Sequence, residues 1–193
     1  MIRQLIVKFA LIAALLSVWG CAVPQEGLLP QVELPAVPAE LKSSVSFEIS
    51  FLPPPDTEGE QKLAEEFRHA FERANLFRMV FPAPAAADVH MTVVLTQAVA
   101  VTPEHFTLYL ATGGLSPIRV PCIYELHAEI RSCSGKVVKY DIKDEVSKLV
   151  WSPGWPPGVD WHIDPTSSSL RRNLYRTLMM QMHGDGLLHP CAE

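Results

Sequence analysis

The segment from Tyr124 to Ile142 leaves this chain little choice of fold, because two alternating apolar patterns flank one glycine. Tyr124, Leu126, Ala128 and Ile130 share one face of an extended chain, and Val138, Tyr140 and Ile142 share one face of another. Alternation with period two predicts half-buried strands joined as a hairpin. A two-residue turn at Ser134-Gly135 would set Ile130 opposite Lys139 and bring lysines and Asp141 among the apolar side chains. A three-residue loop, Cys133-Ser134-Gly135, instead pairs Ile130 with Val138, Ala128 with Tyr140 and Leu126 with Ile142. Gly135 then takes the left-handed position of a type I turn with a bulge. The second register is expected, because a slip of one residue turns every side chain to the wrong face.

Other elements follow the same logic. Val45, Phe47, Ile49 and Phe51 alternate with Ser46, Glu48 and Ser50, a strand stopped by Pro53-Pro54-Pro55. Thr57 and Glu60 have capping-box spacing, and Leu63, Phe67, Ala70, Phe71 and Ala74 then fall on one helical face. Phe77 to Phe81 is a short strand candidate, and Val89, Met91, Val93 and Leu95 mark another that runs toward Val101. Phe106, Leu108 and Leu110 suggest its continuation or a separate strand. A loop rich in glycine and proline spans Ala111 to Pro121. Asp164-Pro165 starts a last helix, with Ser167 as a rival cap. Its stripe is Leu170, Leu174, Leu178 and Met182, Gly184 stops it, and Arg171, Arg172 and Arg176 lie on the solvated side. The expected class is α+β: an antiparallel sheet of about four to five strands with two helices on one face.

The front of the chain reads differently. Arg3 and Lys8 precede an apolar run from Phe9 to Val18, and Gly20 stands before Cys21. A basic start, a short apolar run and a small residue at the cut make a secretory signal over residues 1–20. The run is about 15 Å long as a helix, half of a bilayer core, so it does not span. Cysteine directly after the small residue resembles the bacterial lipobox, which implies acyl chains on Cys21 and a periplasm-facing outer-membrane anchor. Cleavage there removes Arg3 and Lys8, lowering the basic count from 16 to 14 against 21 acids, a net charge of −7. Such a chain repels nucleic acid, and no Lys/Arg cluster offsets this. Residues 21–44, with Pro24, Pro30, Pro35 and Pro38, read either as an extended tether or as an arm packed through Leu28, Leu29, Val32 and Leu34. Residues 45–193 are then read as one domain.

Three cysteines remain in that domain. Cys122 and Cys133 bracket one strand, about 36 Å apart when extended, far beyond disulfide reach. Cys191 is the partner available to either. Cys122 has the core parity of Leu126, so Cys122–Cys191 is the candidate bridge in an oxidising compartment, with free, buried thiols as the alternative. Spacing gives no zinc site and no cofactor motif.

Asp160-Trp161-His162-Ile163-Asp164 is the one cluster with acid–base potential, although Asp164 also serves as a helix cap. No nucleophile elbow, phosphate loop or paired-carboxylate motif accompanies it, so catalytic and metal residues are not expected. Trp151, Trp155 and Trp161 sit among prolines and glycines, where they either cap the open end of the core or anchor a partner.

Several short motifs line up with a known group. They are Asn75-Leu76-Phe77, Ala87-Asp88-Val89, Thr112-Gly113-Gly114-Leu115-Ser116-Pro117, Tyr124-x-Leu126-x-Ala128, the Gly135 turn, Tyr140 and Trp151-x-Pro153. In these the chain resembles small Gram-negative outer-membrane lipoproteins of uncharacterised function, and its element order is similar to that of the lipopolysaccharide-assembly lipoprotein. Gly113 and Ser116 depart from the group's loop, and a Gly-Trp start is missing after Cys21. The expected function is a non-enzymatic binding or accessory module, held at the membrane through Cys21. It would meet an envelope protein through Thr112, Gly113, Gly114, Leu115, Pro117, Trp151, Trp155 and Trp161. The alternatives are a plug of an outer-membrane barrel in lipopolysaccharide assembly, or a hydrolase or metal enzyme using Asp160 and His162.

Overall fold

The computed structural model describes residues 23–24, 29–112, 118–150 and 165–191. In chain order the elements are β1 (Val23–Pro24), β2 (Ser43–Leu52), α1 (Thr57–Arg73), β3 (Phe77–Pro82), β4 (Val89–Val99), α2 (Pro103–Ala111), β5 (Ile118–Ser132), β6 (Val137–Val150) and α3 (Pro165–Gly184). They fall into two compact units. One comprises Gly27–Ala98, Ile123–Glu145 and Asp160–Glu193, and the other Met1–Glu26, Val99–Cys122 and Val146–Val159. The long strands β5 and β6 contribute residues to both.

In the larger unit the strand order is β6-β5-β4-β2-β3. The class is α+β as expected, but the sheet is mixed: β2 runs parallel to both β3 and β4. The reason lies in the connections. Helix α1 carries the chain back so that β3 starts beside Ser43, and residues 83–88 then cross over β2 so that β4 starts beside Val45. That crossover is pinned where the Ala83 N–H donates to the Phe47 carbonyl at 2.7 Å. It also buries Ser44 and Ser46 on the face of β2 that alternation assigns to solvent.

The hairpin has the expected register. Ser132 N–H donates to the Lys136 carbonyl at 2.9 Å, Gly135 N–H to the Ser132 carbonyl at 2.9 Å, and Gly135 has φ +83°. Glu125 faces Lys143, His127 faces Asp141 and Glu129 faces Lys139 across the outer face, the same pairing seen from the other side. Leu126, Ala128, Ile130, Tyr140 and Ile142 are buried on the inner face.

Helices α1 and α3 cover that inner face. Phe67 stands 5.1 Å from Phe47, 4.5 Å from Phe71 and 4.9 Å edge-on from Tyr175. Burying each such ring stabilises by about 2–3 kcal/mol, and ring pairs add about 0.5–1.5 kcal/mol. Leu170, Leu174, Leu178 and Met182 are buried as their spacing requires.

Three local expectations are corrected. Asp56, one residue before Thr57, caps α1 by accepting the Gly59 N–H at 2.7 Å. Gly59 is needed there, since a Cβ would lie 2.8 Å from Asp56 Oδ1. Helix α3 runs to Gly184, but Gly186 makes the stop with φ +69°: its N–H donates to the His183 carbonyl and Leu187 N–H to the Met182 carbonyl. Arg171, assigned to solvent by the helical wheel, is only 1% exposed. Its Nε and Nη2 donate to the two Glu66 carboxylate oxygens at 3.1 and 2.6 Å, and its guanidinium lies 6.0 Å over the Tyr124 ring. One turn of α1 supplies the counter-charge that lets the arginine go inside.

Within the larger unit the proline-rich arm is held at Leu29. Leu29 N–H donates to Asp144 Oδ1 at 3.1 Å, and its carbonyl accepts Asn173 Nδ2 at 3.3 Å, bridging β6 and α3.

Candidate interaction surface

In the smaller unit, β1 is the first described element. Val23 pairs with Leu149 and Pro24 with Lys148, antiparallel to the end of β6. Helix α2 belongs to the same unit. Residues 106–110 alternate like a strand, yet they form a helix. Pro103 occupies the first turn, Glu104 follows it, and Thr102 ends the extended chain. Proline at the first helical position and an acid near the N-terminus are start signals that alternation obscured. Thr112 closes the helix, its Oγ1 donating to the Leu108 carbonyl at 2.9 Å.

The burial of α2 is lopsided. Tyr109 is 4% exposed, whereas Phe106, Leu108 and Leu110 are 44%, 52% and 60% exposed. At 100° per residue the open arc runs from Phe106 and Leu110 through Thr107 and Ala111 to Leu108, and Glu104 in the first turn is a charge that falls within it. A concentration of half-open large apolar side chains marks a contact surface.

Of the residues singled out in the sequence, Cys21, Gly113, Gly114, Leu115, Pro117, Trp151, Trp155, Asp160, Trp161 and His162 lie outside the described residues. Thr112 is described and caps α2. The candidate Cys122–Cys191 bridge is not formed: Cys191 bonds Cys133, with Cα atoms 6.2 Å apart, and Cys122 is buried. Parity pointed to the core, but the tail after α3 is steered elsewhere. Asp88 at the start of β4 accepts the Cys191 N–H on Oδ1 at 3.2 Å, while its carbonyl accepts the Cys133 N–H at 2.8 Å. One residue thus brings the hairpin turn and the tail together.

Asp88 also accepts from Ser44 N–H and Ser44 Oγ, each at 2.7 Å, and faces Arg78 at 3.8 Å. Burial pushes its carboxyl up, but the Ser44 and Cys191 hydrogen bonds and the Arg78 charge outweigh this and hold it below the ordinary carboxylate value. A depressed folded-state pKa adds stability above the unfolded value, and that stability is lost as pH falls through the folded one. The wild-type melting temperature is therefore expected to drop on acidification below about pH 4, by a step that Asp88→Asn removes. At neutral pH the variant should be less stable by about 1–2 kcal/mol. Thermal melts of both proteins between about pH 3 and pH 7 check this, and parallel curves would refute it.

Two clusters invite chemistry. The Asp88 carboxylate and the sulfurs of Cys133 and Cys191 lie within 4.8 Å of one another, but sulfurs joined in a disulfide offer no thiolate to a metal ion. Ser46 Oγ lies 2.6 Å from His90 Nδ1 beside a groove of about 430 Å³ lined by Glu48, Ala83–Ala86 and Thr92. A hydroxyl–imidazole pair is the core of nucleophilic catalysis. Here Ser46 is only 2% exposed, and among the described residues no carboxylate hydrogen-bonds the ring. On the outer face the ion pairs are largely solvent-exposed and mutually neutralised, worth about 0–1 kcal/mol each. The described side chains thus concentrate open apolar surface on α2 rather than reactive groups in a cleft.

No family model and no curated protein sequence matches this chain. Solved structures to which it is similar include a dodecamer of a PelC point variant from Paraburkholderia phytofirmans, at 15% identity over 80% of this chain and 98% of that one, TM-score 0.42. A minor lipoprotein from Acinetobacter baumannii matches at 11% identity over 82% and 99%, TM-score 0.40. The rare lipoprotein B from Shewanella oneidensis matches at 12% over 73% and 92%, TM-score 0.36. Among the described residues no helix is long and apolar enough to cross a membrane.

Proposed function

We propose that this protein is an outer-membrane lipoprotein, acylated on Cys21 and facing the periplasm, that serves as a non-enzymatic binding or accessory module for an envelope protein. The observation that carries the reading is the pairing of Val23 and Pro24 with β6. The residues directly behind the lipobox-like cysteine are built into the sheet, as an anchor that orients its domain requires. The partner-binding residues are Thr112, Gly113, Gly114, Leu115 and Pro117 with Trp151, Trp155 and Trp161. In the chain, Thr112–Pro117 adjoin α2 and β5, and Trp151 and Trp155 follow β6, within the unit that holds β1, while Trp161 precedes α3 in the larger unit. Rigid aromatic anchors at loops are the usual source of binding energy at such surfaces.

The test is purification of the full chain from detergent-solubilised membranes, with mass spectrometry of its N-terminus. The expected result is a triacylated Cys21 and a co-purifying envelope protein lost from the Trp151→Ala/Trp155→Ala variant. A free, unacylated Cys21 behind an intact leader would overturn the reading. A stoichiometric complex with a large β-barrel would move the assignment to the lipopolysaccharide-assembly role.

A further inference from the structure

We infer that α2 is a second membrane contact: its Phe106, Leu108 and Leu110 side chains rest in the periplasmic leaflet beside the acyl chains of Cys21. The inference rests on the anchoring proposed above and goes beyond it, since one tether point does not say which further side chains meet the lipid. Two linked observations carry it. First, Val23 is fixed to Leu149 in the sheet. Only Ala22 separates it from Cys21, a span of about 7 Å even when extended. The lipid surface therefore lies within one or two residues of the unit that contains β1, whatever the rest of the arm does.

Second, α2 belongs to that unit and carries its open apolar arc. Without residues 1–20, which the proposed cleavage removes, that unit has about 44 residues and a radius of gyration of about 9 Å, so a helix within it lies close to the leaflet to which β1 is tied. The arc presents Phe106, Thr107, Leu108, Leu110 and Ala111, and Glu104, exposed in the first turn, is the carboxylate that must stay at the headgroup level as these side chains enter the interface. The chain's net negative charge would not draw it to anionic lipid, which leaves apolar contact as the attraction between this face and the leaflet. A single short helix binds weakly alone. Tethered beside the acyl chains it acts at high effective concentration.

Photo-crosslinking of the full, acylated chain tests this. A benzoylphenylalanine is placed at Leu110, or at Lys139 on the outer face of the larger unit, and the protein is reconstituted into vesicles of phosphatidylethanolamine with a minor fraction of phosphatidylglycerol. After illumination, intact-mass analysis is expected to show a phospholipid adduct at position 110 about ten-fold more abundant than at position 139. Because Leu110 is 60% exposed, the substitution leaves the buried Tyr109 side untouched. An acylated protein whose position-110 product contains a second copy of the chain, or labels no more than position 139, overturns this inference alone. A protein that proves unacylated at Cys21 overturns the anchoring reading, and this one with it.

Discussion

Glu66→Ala is expected to cost about 3–5 kcal/mol of folding stability, far more than its half-solvated position on α1 suggests. The loss arises at the other end of the pair. Arg171 is 1% exposed, and Glu66 is the carboxylate that meets its guanidinium from two directions. Burial pushes the guanidinium toward losing its proton, and the Glu66 carboxylate more than offsets this. Removing the carboxylate leaves a cation facing Tyr124 and Tyr175 in the interior, where ring contacts recover only about 1–2 kcal/mol. Replacing both residues, Glu66→Leu with Arg171→Met, removes the charge as well as its partner and should bring stability back to near the starting value. Urea midpoints of the single and double variants decide the matter. A single variant within about 1 kcal/mol of wild type would mean that water reaches Arg171.

The second large effect is expected from the tail. Replacing Cys133 and Cys191 by alanine should lower stability by about 4 kcal/mol, because the bridge closes a long stretch of chain in the unfolded state. The sequence separation is 58, and it spans β6 and all of α3. Reductant should shift the wild-type midpoint by the same amount and leave the variant unmoved. A non-reducing digest should yield a peptide pair joined through Cys133 and Cys191. Recovery of a Cys122–Cys191 pair instead would refute the assignment. Asp88 adds a kinetic corollary: its carbonyl binds the Cys133 backbone and its carboxylate the Cys191 backbone, so Asp88→Asn, which weakens the second contact alone, should slow closure of the bridge.

Much of the larger unit was legible in the residues. Alternation across Tyr124–Ile142 contains its own register test, because the wrong pairing puts lysines in the core. Gly135 adds a position that L side chains rarely adopt. The stripes of α1 and α3 are equally local, since helical periodicity needs no knowledge of neighbours. The expectation of a secretory signal ahead of Cys21 likewise rests on residues read in one dimension.

Where the reading failed, the deciding partner lay far along the chain or the local signals conflicted. Alternation cannot tell a parallel neighbour from an antiparallel one, so the crossover at residues 83–88 and the mixed sheet stayed hidden. The helical wheel placed Arg171 in water because Glu66, 105 residues away, is not on the wheel. At Phe106–Leu110 the apolar alternation pointed to a strand, while Pro103 and Glu104 pointed to a helix, and the helix formed. Parity favoured Cys122 as the bridging thiol, but Asp88 drew the tail to Cys133. In each case side-chain pattern set which face a residue prefers. Which face is actually covered depended on what the rest of the chain brought against it, and that is a property of packing rather than of period.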